Sequence, residues 1–365
     1  MKTSILMKGS DYMCIKSDNN KILSTVETAT EFEVNKIKLL ELFGGIGAPR
    51  KALENLGYNI KSIDYVEILP YAVLAYNSIF DNNLKPQDIM LWNMDCDILV
   101  HGSPCQDWSK NGKNNINTGR SILYERVLQI LDPERKELTK LPKMVLWENV
   151  PQLVHKFGDH FNHYLETMES YGYHNFWKIL KASDYGIPQA RDRVYVVSIL
   201  DDVKFEFPDP VPLKKKVIDY IDKKVDPEEY KLTEKEMSIV IDLPNGKKAV
   251  KEATKLGYKE FEEGDVINFE FPSSKTRRGR VGKGIAKTIT TGSRQAVYIN
   301  GHIRLFTAKE QLRLMGYTDK DYKQMVKNGI TDQQIKQLAG NSICVPVLMK
   351  IFERAAELGI IRGVE

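Results

Sequence analysis

One cysteine stands in surroundings that suit chemistry better than packing. The run 97–109, DILVHGSPCQDWS, starts as an apolar strand and breaks at Gly102. Pro104 fixes its own φ and pushes Ser103 into an extended form, a stiff mount for the next side chain, Cys105. A lone cysteine is commonly a small core hydrophobe. Its neighbours here are Gly, Ser, Pro, Gln, Asp, Trp and Ser, which is loop chemistry, so a nucleophilic thiol takes precedence. A carboxyl, Glu148, ends a second apolar run, 143–150, and is followed by Asn149 and then Pro151. Ligands of parallel α/β sheets sit outside the carboxyl ends of the strands. Thiol and carboxyl should therefore face one crevice, where a buried carboxyl tends to keep its proton and can donate it. The plainer alternative makes Glu148 a cap of the next helix. Arg191 and Arg193 stand two apart at a strand start, so both can lie on one face. Solvated surface arginines are the alternative there.

These groups need elements to position them. Residues 37–43 read as a buried strand running into Gly44, Gly45, Ile46 and Gly47, then into a helix carrying Arg50, Ala52, Leu53 and Leu56. A strand, a glycine turn and a helix N-terminus make a cofactor cradle, because glycine lets a ligand approach the backbone. The third glycine of the dinucleotide fingerprint is replaced by Arg50, which favours a cofactor without a pyrophosphate. A second strand, 60–65, leads to Glu67, at the distance where an acid can hold ribose hydroxyls. Asp88, after Pro86 and Gln87, reads in isolation as a turn residue. Residues 112–119 form a polar, glycine-bounded segment of lid type, and a helix follows to Leu131. Further strands are expected at 176–180 and 194–200. Near the C-terminus, Thr331 and Gln334 resemble a capping box, 340–342 interrupts that helix, and a final amphipathic helix ends at Gly359.

The 365 residues suffice for one large α/β domain with an insert, or for two domains. Hydrophobic content of 42% and charged content of 28% are ordinary for a soluble protein. The four cysteines (Cys14, Cys96, Cys105 and Cys344) are scattered, which argues against a disulfide framework or a zinc site and fits a reducing cytoplasm. No apolar run has membrane-span length, and no signal-peptide pattern opens the chain. The net charge of +4 permits an acidic partner without demanding one. From about 205 to 290 the texture changes: prolines at 208, 210 and 212, lysine runs, then a basic, glycine-rich segment at 273–284 with Arg277, Arg278 and Arg280. Such a segment suits a phosphate backbone, although a basic run is also a common solvated face.

Taken in order, these motifs resemble the cytosine carbon-5 DNA methyltransferase family, over nearly all of the chain from about residue 37 except the basic middle. The resemblance implies an α/β fold: a doubly wound, mostly parallel Rossmann-like sheet with a smaller recognition domain inserted before the C-terminal helices. It implies S-adenosylmethionine as cofactor, held by Phe43, Gly45, Gly47, Glu67, Asp88, Pro104 and Asn341, and reverses the isolated reading of Asp88. It makes Cys105 the nucleophile, Glu148 the acid, and Arg191 and Arg193 catalytic partners for the ring oxygen. Gln106, Ser109, Asn149 and Gln189 are expected at the substrate, with Arg277, Arg278 and Arg280 on DNA. Ser103 helps to shape the pocket. Arg304 to Thr307 and the helix through Tyr317 resemble the motif that supports the recognition part.

The expected organisation is an N-terminal extension at 1–36, a catalytic domain at 37–204, a target recognition domain at 205–290, and a supporting segment with the returning C-terminal helix at 291–365. The implied activity is methylation of a flipped-out cytosine in a specific double-stranded DNA sequence through a covalent cysteine adduct. A cognate restriction endonuclease, a monomeric state, no membrane partner and a bacterial or phage-infected cytoplasm complete the expectation. Rivals are cytosine methylation in transfer RNA, a nicotinamide oxidoreductase suggested by the glycine turn alone, and a DNA-binding regulator with a dead active site.

Overall fold

A computed structural model describes residues 37–91, 95–104 and 123–361, together with a short antiparallel hairpin, β1 (Ile5–Lys8) and β2 (Asp11–Cys14). Cys105, Gln106, Ser109 and the expected lid at 112–119 lie outside the described residues.

The central sheet follows from apolar side chains that alternate between its two faces. It comprises β3 (Ile37–Leu42), β4 (Ile60–Val66), β5 (Ile98–His101), β6 (Met144–Asn149), β7 (His174–Lys181) and β9 (Asp192–Ile199) in the order β4-β3-β5-β6-β9-β7. Ile37, Leu39, Ile98, Val100, Met144, Leu146, Tyr195 and Val197 bury into one layer. Their neighbours Leu40, Leu42, Leu99, Val145, Trp147, Val194 and Val196 bury into the other. A strand alternates its faces with period two, so a sheet apolar on both faces must be covered on both. Helices α1 (Ala48–Asn55) and α2 (Pro70–Phe80) contribute to the first layer. Helices α3 (Tyr124–Leu131) and α5 (Gly158–Ser170) contribute to the second. Between them in sequence lies the short α4 (Gln152–Lys156).

Strands β3, β4, β5 and β6 are parallel. Strand β9 runs antiparallel between β6 and β7. From β3 the chain moves outward to β4, then returns to place β5 on the other side of β3. That reversal is a topological switch point, and it opens a crevice at the carboxyl ends of β3 and β5. The glycine turn and Gly102 stand at those two ends.

The middle of the chain builds smaller sheets. A three-stranded sheet holds β10 (Val240–Asp242), β11 (Lys248–Lys251) and β12 (Tyr258–Phe261), after the one-turn α6 (Glu234–Met237). A four-stranded sheet has the order β14-β13-β16-β17, from β13 (Val266–Asn268), β14 (Arg280–Gly282), β16 (Gln295–Ile299) and β17 (His302–Leu305). It crosses the boundary expected at 290. The two-residue β8 (Gln189–Ala190) and β15 (Ala286–Lys287) pair in parallel and tie this region to the catalytic part.

Four helices return the chain: α7 (Ala308–Arg313), α8 (Asp319–Lys327), α9 (Asp332–Asn341) and α10 (Val345–Glu357). Thr331 and Gln334 form the expected capping box, with Gln334 N donating to Thr331 Oγ1 and Thr331 N to Gln334 Oε1. Gly359, at φ 73°, follows the last helix as its stop. No helix among the described residues is long and apolar enough to cross a membrane.

Candidate active site

The cleft is lined by Glu41 to Gly45, Ala48, Pro49, Val100, Gly102, Glu148, Asn341, Ser342 and Ile343. Four distant parts of the chain meet there. The glycine turn is shaped by steric need at two positions. A Cβ on Gly44 would stand 2.6 Å from the Tyr65 ring, and one on Gly47 (φ 70°) would stand 2.4 Å from Phe80. Gly45 (φ 54°) has nothing within 4 Å of its missing Cβ, so its outer face is open to a ligand. Phe43, beside it, also adopts a positive φ of 55°.

Glu67 closes the turn from the next strand. Its Oε2 accepts from Gly45 N at 3.3 Å and its Oε1 from Leu69 N at 3.0 Å. Burial raises its pKa, against those backbone donors. Gln87 N donates to Glu67 O, which brings Asp88 alongside. Asp88 is exposed and its Oδ1 accepts from Met90 N, so the turn role read in isolation is also real.

Glu148 comes from β6 and is buried. Gly102 on the adjacent strand end is so close that its Cβ position lies 3.7 Å from Glu148 Oε2. Arg193 Nε lies 3.0 Å from Glu148 Oε1, an ion pair by distance, yet that oxygen has no aligned hydrogen-bond donor. Burial raises the Glu148 pKa, and the two arginines, Arg193 foremost, oppose the rise. The carboxyl is thus biased toward its protonated form beside a fixed cation.

The loop stem before Cys105 is pinned from below. Ser103 Oγ accepts from Trp147 Nε1 at 3.0 Å, and Ser103 O accepts from Asn149 Nδ2 at 3.2 Å. His101, buried beneath, shares a 3.0 Å hydrogen bond with Tyr164 Oη, and burial pushes its pKa down to about 3, so it is neutral.

Comparison with known proteins decides the family. The family model described as C-5 cytosine-specific DNA methylase matches residues 37–357. The chain belongs to the C-5 cytosine-specific DNA methylases. It is 31% identical over 326 residues to the type II methyltransferase M.NgoBI of Neisseria gonorrhoeae, covering 85% of this chain and 90% of that one. With the type II methyltransferase M.NlaX of Neisseria lactamica it shares 32% identity, covering 87% and 95%. The fold is similar to that of the Dnmt2 methyltransferase of Schizosaccharomyces pombe, with TM-score 0.63, 21% identity, and coverage of 88% and 99%. The protein is a DNA (cytosine-5-)-methyltransferase on a Rossmann-like α/β fold.

Within this methylase the expected site residues divide. Phe43, Gly45, Glu148 and Asn341 line one cleft, with Glu67 and Gly47 behind it in the same turn. Arg193 reaches Glu148; Arg191 does not share its direction. The Arg191 guanidinium is buried and donates to the carbonyls of Ile289, Gly340 and Ser342, which clamps backbone beside the cleft. Gln189 is buried too; its Nε2 donates to Leu314 O at 2.8 Å and its Oε1 accepts from Ile289 N at 2.9 Å. Asn149 spends its amide on Ser103 and on Val150 N, and so positions the loop stem. Arg277 stacks over the Phe271 ring at 4.2 Å, while Arg278 and Arg280 each bury an Nε with no hydrogen-bond partner.

Sequence reasoning passed over Glu41. It is fully buried on β3, accepts from Tyr76 Oη at 2.7 Å and from Arg50 N at 3.1 Å, and lines the cleft. Burial raises its pKa to about 7. The signal was a lone acid inside an apolar strand. Tyr317, expected only as the end of the supporting motif, does more: its hydroxyl donates to Ile46 O at 3.3 Å and lies 3.1 Å from Ser342 Oγ, joining the last motif to the glycine turn.

Proposed function

We propose that the methylase transfers a methyl group from S-adenosylmethionine to carbon-5 of a cytosine turned out of double-stranded DNA, by way of a transient bond between Cys105 and carbon-6. The observation that carries this reading is the placement of Glu148. A buried carboxyl, its pKa raised by burial, shares a cleft with an open glycine turn, and the strand end beside it leads through Ser103 and Pro104 to Cys105.

The cradle suits that cofactor. Gly45 leaves room for a ligand at the backbone, Glu67 sets a carboxylate beside it, and Phe43, Gly47, Asp88, Pro104 and Asn341 surround the same end of the sheet. Bound there, S-adenosylmethionine supplies an electrophilic methyl group on a sulfonium. The chain's own groups prepare the acceptor. The Cys105 thiolate adds to carbon-6 while Glu148 gives its proton to ring nitrogen N3, and the ring becomes an enamine nucleophilic at carbon-5. Arg193, held on Glu148, stands to stabilise charge on the ring oxygen. After methylation a base removes the carbon-5 proton, that electron pair restores the ring double bond, the Cys105 sulfur departs, and N3 gives its proton back to Glu148. Cytosine inside a duplex cannot reach such a cleft, so the base is flipped at a cost of about a few kcal/mol. Gln106 and Ser109 belong to the loop expected to close over it.

The type II names of the bacterial relatives support a restriction-modification setting with a cognate endonuclease, in a bacterium or phage-infected cell. The deciding experiment is Cys105→Ala, assayed by bisulfite sequencing of DNA and transfer RNA incubated with the protein. Methyl transfer should vanish while S-adenosylmethionine binding persists. Normal turnover would remove Cys105 as nucleophile, and methylation of transfer RNA alone would replace DNA as the substrate.

A further inference from the structure

A small set of charged groups on the recognition side is held together without pairing. Gly279 (φ 59°) is pressed so tightly on the end of β11 that an added Cβ would stand 2.1 Å from Lys251 O. Glu252 follows Lys251 directly, and Arg278 and Arg280 flank Gly279, so one backbone contact brings the acid and both arginines to the same place. Even so, Glu252 forms no ion pair among the described residues. Its Oε2 is buried without a hydrogen-bond partner, as are the Nε atoms of Arg278 and Arg280.

This cluster continues to the rim of the active cleft. Lys287 on β15 sits opposite Ala190 of β8, two residues after which comes Asp192, paired with Lys181 on β7. Two lysines thus bracket the segment that carries Arg193. Lys287 is half-buried, makes no ion pair among the described residues, and feels Arg280, Lys259 and Lys181 as well as Glu252; burial first, then those cations, lowers its pKa. A face with this excess of cations suits a phosphate backbone. Glu252 does not: phosphate repels it. What DNA itself can offer a carboxylate is the exocyclic amino group of a base, cytosine N4 or adenine N6.

We propose that Glu252 is a specificity-determining residue that accepts a hydrogen bond from an exocyclic amino group in the major groove, while Arg280 and Lys287 hold the neighbouring phosphates. The proposal rests on the DNA reading above. Wild-type methylation of a duplex library with randomised flanks is measured first; failure there sinks that reading before this one is reached. With the wild type active, Glu252→Ala should lower discrimination at one base pair of the recognised sequence by about 10-fold and leave the other positions unchanged. Glu252→Gln tells the two bases apart: preference for adenine survives, because an amide pairs with it, and preference for cytosine is lost. Lys287→Gln should reduce the salt slope of DNA binding by about one and leave base preference alone. An unchanged preference at every position in Glu252→Ala, or an equal loss at all of them, would overturn the assignment.

Discussion

Arg191 and Arg193 show how far residue type and spacing reach. Two arginines at a strand start suggest a pair on one face, but only Arg193 reaches Glu148. Arg191 precedes β9 and turns toward carbonyls at 289, 340 and 342, contacts made by chain that arrives 98 to 151 residues later. No local pattern could reveal that. Glu41 is the converse case, because its position inside an apolar strand was visible and marks an unusual environment. Its carboxyl rises from the ordinary 4.5 to about 7 through burial. The folded state therefore keeps this proton to higher pH than the unfolded chain does. Its contribution to stability is fully present below 4.5 and is lost as pH rises from there through about 7. The loss corresponds to about 3 kcal/mol. Glu41→Gln should remove it, so denaturant unfolding of the two proteins should diverge between pH 4 and 8, the wild type losing about 3 kcal/mol more. Parallel curves would mean that Glu41 ionises in the folded state as it does in the unfolded one.

At the scale of elements, the strands β3, β5 and β6 were legible because each is a short, largely apolar run, and β4 because isoleucine, tyrosine and valine recur along it. Helix α9 was legible through its capping box, and the stop at Gly359 through its type. The antiparallel insertion of β9 between β6 and β7 was not, since strand order depends on pairing between segments and leaves no mark in either one. The role of Gly340 was hidden for the same reason. It ends a helix with no positive φ, and its need for hydrogen in place of a side chain comes from outside. A Cβ there would stand 2.3 Å from Thr291 N and 2.4 Å from the Thr290 carbonyl carbon. Helix α9 is thereby pressed onto the segment after β15, and its end carries Asn341 and Ser342 into the cleft. Gly340→Ala must push backbone from backbone, an overpacking worth about 1–3 kcal/mol. Thermal melting should fall accordingly, and S-adenosylmethionine should bind more weakly because Asn341 and Ser342 move with the helix. Unchanged melting and unchanged binding together would show that the two segments part freely.

For the whole molecule, the question is whether the recognition part is a separable unit. Composition placed its end near 290, where the basic texture stops. The packing places it elsewhere. Strand β13 pairs with β16, which begins at Gln295, and the local core of Leu232, Ile239, Val250, Phe261, Ile267, Phe269 and Val281 also needs Ala296. Gln295 itself donates to the carbonyls of Lys287 and Thr288 and accepts from Lys287 N, so it fixes the stretch that pairs with β8. On the other side Val217, Val266, Ala286 and Ile289 bury into the same core layer as β3 and α10. A chain cut to 205–290 keeps β13 and β14 but loses β16 and β17. It strips β13 of its second partner and exposes an apolar sheet face. A two-stranded remnant without a covered face is marginal at best in water. That fragment should show poor amide dispersion by NMR and no cooperative thermal transition, whereas the full chain should unfold its recognition strands together with the catalytic core. A dispersed spectrum and a sharp melt for 205–290 alone would mean that this region folds on its own and that its bonds to β8, β16 and the C-terminal helices only dock a finished domain.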